Sequence, residues 1–147
     1  MKIAVFGGTF NPFHIGHFEI AKALCDMEFF NKVIIMPDSI PPHKKTDYLA
    51  SDEDRLNMCK IACKDLKKAE ISTLEIENGG KSYTINTIRK LKETYKNDDF
   101  YFVCGADMIE ILDKWYDFES LKNMAEAVKG SFAFTALTEN NKLYIIC

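Results

Sequence analysis

Short unbroken apolar runs alternate along this chain with segments whose apolar residues fall three or four apart. That alternation predicts strands interleaved with helices, the pattern of a parallel α/β sheet. Ile3-Ala4-Val5-Phe6 predicts a first strand over Lys2–Phe6, covered on both faces. A helix is expected from about Ile15 to Cys25, with Phe18, Ala21 and Leu24 or Cys25 on its apolar stripe. Lys32-Val33-Ile34-Ile35-Met36 predicts a second buried strand stopped by Pro37, and the aperiodic segment from Pro37 to Leu49, with Pro41, Pro42, Lys44 and Lys45, predicts a loop. Ser51 with Asp54 three residues on has the form of a capping box ahead of a helix from Asp52 to about Lys64.

The second half continues the alternation less cleanly. Glu70 to Glu77 interleaves polar and apolar residues and predicts a third strand closed by Asn78-Gly79-Gly80. A helix starting at Ser82 or Tyr83 follows from the spacing of Ile85, Ile88, Leu91 and Tyr95. Phe100-Tyr101-Phe102-Val103-Cys104 predicts a fourth buried strand ended by Gly105. Helices over 106–112 and about 118–128, and weaker strands over 132–137 and 143–146, complete the reading. No internal repeat or low-complexity stretch interrupts it. One doubly wound, Rossmann-like domain over residues 1–147 accounts for this order, with ligands expected at the carboxyl ends of strands one and four.

Composition narrows the class. A chain of 147 residues, 47% hydrophobic and 12% aromatic, can bury one core. A net charge of -3 and a pI near 5.6 speak against a protein that grips nucleic-acid backbones, whereas a bound nucleotide needs only a local positive site. Five cysteines, an odd number set mostly in apolar or helical patterns, read as reduced, partly buried thiols. No leader-type segment precedes the first strand, and no apolar run approaches the ~20 residues of a membrane span. The expectation is a cytoplasmic protein acting on small molecules, with no membrane or nucleic-acid partner, and with homo-oligomer formation left open.

Candidate chemistry gathers behind the predicted strand ends. Gly7-Gly8-Thr9-Phe10-Asn11-Pro12-Phe13-His14-Ile15-Gly16-His17 follows the first strand directly. Gly7 and Gly8 let backbone approach anionic oxygens, Pro12 fixes a corner, and His14 and His17 share one face of a helix start, a polyphosphate-binding arrangement. Ile40-Pro41-Pro42-His43-Lys44 hangs over the same sheet edge, where Lys44 can bring a point charge to phosphates. Ser82-Tyr83-Thr84-Ile85-Asn86-Thr87 offers a helix start to a carboxylate. Cys104-Gly105-Ala106-Asp107 places a glycine behind strand four with a carboxylate able to accept from a ribose or to orient the lysine, and Trp115, among polar residues, reads as a stacking surface.

Three other signals fail. Gly79-Gly80-Lys81-Ser82 imitates the end of a P-loop, but the first glycine of that motif would fall at Glu75. Cys59 and Cys63 lack a second pair at metal-ligand spacing, so no metal site is expected. Lysines 64, 67 and 68 read as a solvated helix end.

The glycine-histidine string resembles the signature of the nucleotidylyltransferase superfamily. Taken with Pro-Pro-His-Lys, Ser-Tyr-Thr-Ile-Asn-Thr and Gly-Ala-Asp followed by Trp, it is similar to the bacterial nicotinate-nucleotide adenylyltransferases, in order, from Lys2 to about Leu121. The resemblance implies transfer of AMP from ATP, bound with Mg2+, to nicotinate mononucleotide, giving deamido-NAD and pyrophosphate. It implies that Gly8, Thr9, Phe10, His14 and His17 line the ATP phosphate site, with Gly105 and Asp107 near the nucleoside. Tyr83, Thr84 and Trp115 match the positions around the pyridine ring. Catalytic roles then fall to His14, His17 and Lys44. The family's carboxyl-terminal Ile-Ser-Ser-Thr-x-Ile-Arg motif does not occur, and Arg55 and Arg89 sit on predicted helices away from its place. Two alternatives stay open: another adenylyl- or cytidylyltransferase, or a catalytically impaired nucleotide-binding remnant.

Overall fold

The computed structural model describes residues 1–39, 47–105, 114, 116–117, 119–120 and 143–146. Strand β1 (Lys2–Gly8) leads to helix α1 (Ile15–Asp26), β2 (Lys32–Pro37), α2 (Asp52–Cys63), β3 (Ala69–Ile71), α3 (Leu74–Asn78), α4 (Thr84–Thr94), β4 (Asp99–Gly105) and β5 (Leu143–Ile146). The five strands form one sheet in the order β3-β2-β1-β4-β5. The first four strands pair in parallel, and β5 runs antiparallel along β4. The parallel doubly wound expectation therefore holds for β1 to β4, with an antiparallel edge strand added. The strand expected over 143–146 is that edge. The helices expected over 106–112 and 118–128, and the strand over 132–137, lie largely or wholly outside the described residues.

Alternation within β1 explains why helices cover both faces. Ala4 and Phe6 point into a cluster with Ala21, Leu24 and Cys25 of α1, Val33 and Ile35 of β2, and Cys59 and Cys63 of α2. Ile3 and Val5 point the other way, to Ile34, Met36 and Leu91 of α4. Ile3, Ala4 and Val5 are all fully buried, so neither face of the central strand tolerates a polar side chain.

Several boundaries differ from expectation, β1 running on to Gly8 where Phe6 was the expected end. β2 includes Pro37, which pairs in register with Gly8 at the strand's last position, where its missing N–H is tolerated. The third strand stops at Ile71, and residues 74–78 form α3 instead of continuing it. Alternation over 70–77 misled because Glu75 is buried and hydrogen-bonded to Thr87, an inward polar position that local patterning reads as outward. The capping of α2 is as expected, with the Asp54 amide donating to the Ser51 hydroxyl at 3.1 Å.

Cys25, Cys59 and Cys63 are buried free thiols, as the odd cysteine count suggested. Burial pushes the Cys59 thiol up to about 12 and the Cys63 thiol up to about 11, so neither is a thiolate at neutral pH. Among the described residues, no helix is long and apolar enough to cross a membrane.

Candidate active site at the carboxyl ends of the central strands

Sheet order places β1 between β2 and β4, so the chain leaves β1 toward one side and returns on the other. The crevice outside the carboxyl ends of β1 and β4 is the switch point where open α/β sheets bind ligands. Gly7 and Gly8 end β1 there, and Gly105 ends β4.

The glycine turn is held in shape mainly by packing. Phe10 takes a left-handed backbone conformation (φ 49°), and its ring is buried among Phe6, Phe13 and His17 at centroid distances of 5.4, 5.0 and 5.0 Å. A Cβ on Gly8 would come within 2.7 Å of that ring, so the turn needs glycine at this position for Phe10 as well as for any ligand. Phe10 meets His17 edge-on at 84°, which makes its ring the floor under that imidazole. The Asn11–Pro12 peptide is cis. Asn11 fastens the turn to residues 48–50, donating from Nδ2 to the Tyr48 carbonyl (2.8 Å) and accepting the Ala50 amide (3.1 Å).

His14 is the N-cap of α1 and His17 lies one turn in, as the spacing predicted. The two rings stack at 3.7 Å, and the His14 amide donates to Nδ1 of His17 at 3.2 Å. Neutral His17 must then carry its proton on Nε2. A Cβ on Gly16 would lie 3.1 Å from His14 Cε1, so that ring would have to shift by a few tenths of an ångström. The helix start adds its positive dipole end to the imidazoles, an assembly suited to anionic oxygen.

Thr9 donates its hydroxyl to Asp38 Oδ2 (3.1 Å), so the turn is tied to the end of β2. Asp38 in turn meets Arg55 at 3.4 Å. Arg55 is fully buried and also donates to the carbonyls of Thr9, Ser39 and Ala50. Sequence reasoning set Arg55 aside as misplaced for a phosphate ligand. The signal was present, because Arg55, Cys59 and Cys63 are the buried residues of α2 and repeat every four positions, so the helix's inward stripe opens with a charge.

Tyr83 is the N-cap of α4 and Thr84 its first residue. Tyr83 packs against Tyr116 at 4.5 Å, and Arg89 reaches Asp117 at 3.2 Å, bringing the neighbours of Trp115 onto α4. Ser82 accepts the Ser39 amide at 3.2 Å, which joins this helix start to the end of β2. Glu75 accepts the Thr87 hydroxyl at 2.5 Å, and burial raises its carboxyl pKa above the ordinary value, opposed by hydrogen bonds from Thr87 and Ser82 and reinforced by Asp38. Neither Asp38 nor Glu75 was singled out from sequence, since each owes its place to contacts between distant segments.

The structure thus brings Gly7, Gly8, Thr9, Phe10, His14 and His17 together in one turn. Tyr83 and Thr84 are linked to it through Ser82, Ser39 and Asp38. Lys44, Asp107 and Trp115 lie outside the described residues, and Gly105 is described in its backbone as the end of β4. Among the described residues, no group of three or more His, Cys, Asp or Glu could hold a metal ion.

Comparison with known proteins matches this architecture. A family model described as cytidylyltransferase-like matches residues 5–145. The nicotinate-nucleotide adenylyltransferase of Bacillus subtilis is 38% identical over 127 residues, covering 86% of this chain and 67% of its own length. A Geobacillus thermodenitrificans protein assigned to the same activity is 41% identical over 120 residues, covering 82% of this chain; the chain spans 56% of that relative's length. The solved structure of Plasmodium falciparum nicotinic acid mononucleotide adenylyltransferase complexed with NaAD aligns over 82% of this chain and 59% of its own, with a TM-score of 0.69 at 22% identity, a likeness of fold. The chain belongs to the cytidylyltransferase-like family, and within it is similar to the nicotinate-nucleotide adenylyltransferases.

Proposed function

We propose that this protein transfers the AMP group of Mg-ATP to nicotinate mononucleotide, forming deamido-NAD and releasing pyrophosphate. The observation that carries the reading is the stacked His14–His17 pair at the start of α1, directly beyond the glycine turn that ends β1. A phosphate oxygen of the mononucleotide forms the new bond to the α-phosphorus of ATP. The bond from that phosphorus to the bridging oxygen breaks, and pyrophosphate leaves with its electron pair. Both oxygens are competent without covalent help, so the protein's work is to align them and to meet the charge growing on the phosphates.

In this reading the Nε2–H of His17 meets that charge, with Phe10 packed edge-on against its ring, and His14 and the positive dipole end of α1 add to it. Gly7, Gly8 and Thr9 shape the phosphate turn. Lys44 supplies a positive charge from the loop after β2, and Gly105 and Asp107 flank the nucleoside. Mg2+ arrives with the nucleotide, held chiefly by its phosphates. Tyr83 and Thr84 present a helix start to the pyridine carboxylate while Trp115 stacks on the ring. The cellular setting expected for this chemistry is the cytoplasm.

The test is pyrophosphate release by the purified chain. Release should require ATP, Mg2+ and nicotinate mononucleotide together, and should be weaker with the amide nucleotide. Turnover with phosphopantetheine and none with the pyridine nucleotide would overturn the assignment. Ligand binding by calorimetry beside a flat activity trace would instead identify a nucleotide-binding chain without turnover. Trp115→Ala should weaken the pyridine nucleotide more than ATP; the reverse order would overturn the placement of the two substrates.

A further inference from the structure

Arg55 is 0% exposed, and a guanidinium stays charged at any physiological pH, so its position is tolerable only with its donors occupied. They are. Nε donates to the Ala50 carbonyl at 3.2 Å, and Nη1 donates to the Thr9 carbonyl at 2.7 Å and to Asp38 at 3.4 Å. Nη2 donates to the Ser39 carbonyl at 3.2 Å and to Asp52 at 2.5 Å. One side chain therefore grips the phosphate turn and residues on both sides of the loop that carries Lys44.

The polar connection continues beyond it. Asp38, held by Arg55, accepts the Thr9 hydroxyl, so Thr9 is gripped at both its carbonyl and its side chain. Ser39, whose carbonyl meets Arg55, donates its amide to Ser82. Ser82 directly precedes Tyr83, and deeper in α4 Thr87 donates to Glu75, its hydroxyl also lying 3.3 Å from the Tyr83 carbonyl. Thr9 and Tyr83 are 74 positions apart in sequence, yet covalent and hydrogen bonds through Arg55 and Ser39 join them.

We propose that Arg55 is a positioning residue that fixes the phosphate turn at Thr9 and, through Ser39 and Ser82, the start of α4 in one register, so that the donor and acceptor ends of the site keep a set separation. This rests on the proposed adenylyl transfer for its meaning, because in-line displacement is sensitive to misplacement of about 1 Å, worth on the order of a hundredfold in rate. Lysine cannot substitute. Its single nitrogen has three donors and no planar fork, so it cannot reach five acceptors spread around the guanidinium.

The experiment follows backbone hydrogen exchange in the full chain, together with turnover. Arg55→Lys should speed exchange by about tenfold or more in both segments 8–14 and 82–87, with the interior of β1 unchanged. Turnover in Arg55→Lys should fall by on the order of a hundredfold, mostly in kcat, because alignment and not substrate affinity is lost. Faster exchange confined to residues 50–55 would overturn the proposal. Should Arg55→Lys fail to fold, Ser82→Ala cuts the connection between Ser39 and α4 and leaves Arg55 in place. It should speed exchange at 82–87 alone, and unchanged exchange there would overturn the proposal. The exchange readout does not depend on the reaction. Coupled exchange with no turnover on any substrate would sink the proposed function and leave this inference standing. Turnover on the pyridine nucleotide with uncoupled exchange would do the opposite.

Discussion

His14 and His17 stack ring on ring at 3.7 Å, with planes 21° from parallel, while the backbone N–H of His14 donates to Nδ1 of His17. The pairing sets the tautomer of His17, with the proton of the neutral ring on Nε2. His17→Ala should lower turnover by on the order of a hundredfold or more, the usual cost of one preorganised donor, with an unchanged circular dichroism spectrum. Activity equal to wild type would show that the turn serves structure alone.

Gly8 of the turn and Gly16 of α1 should separate stability from catalysis. A Cβ at Gly8 would meet the Phe10 ring at 2.7 Å, and that ring is boxed in by Phe6, Phe13 and His17. Gly8→Ala should cost about 1–3 kcal/mol in urea unfolding. A Cβ at Gly16 would meet only the exposed His14 ring, at 3.1 Å. Gly16→Ala should leave stability unchanged or raised by up to about 1 kcal/mol, through helix propensity, while turnover falls. Equal stability losses in the two variants would contradict this account.

Glu75 should give the protein a measurable pH signature. Its carboxyl pKa is raised from the ordinary 4.5, chiefly by burial. The native state therefore holds this proton more tightly than the unfolded chain does. The resulting stability is fully present below the unfolded value and is lost as pH rises through the native one. Glu75→Gln keeps an acceptor for Thr87 and has no proton to lose. Its urea midpoint should gain on wild type as pH rises through that window and then run parallel. A difference independent of pH would mean that the carboxyl is not under strain.

Ser51 tests the local end of the hierarchy. Removing its hydroxyl leaves the Asp54 amide without its cap, so Ser51→Ala should cost ~1 kcal/mol in chemical denaturation. A change under a few tenths would show that contacts around Arg55 and Asp52, and not the cap, hold the start of α2.

What could be read from the chain alone has a common physical basis. β1, β2 and β4 are runs of apolar residues whose alternate members are buried on opposite faces, and such runs leave few alternatives to a central parallel strand. The cap at Ser51 and the histidine spacing at the start of α1 are local as well, so both appear where expected. β3 was drawn too long because the inward turn of Glu75 depends on Thr87, twelve residues away.

Sequence by itself determined β1, β2 and β4, the starts of α1 and α2 and the glycine-histidine turn, because each is governed by neighbours within a few residues. Tertiary structure decided that Arg55 is buried, that Asp38 and Ser39 tie the turn to Ser82, and that β5 closes the sheet in antiparallel fashion. Those outcomes depend on donors and acceptors contributed by distant segments, and a buried charge finds its partners only when the sheet has assembled around it.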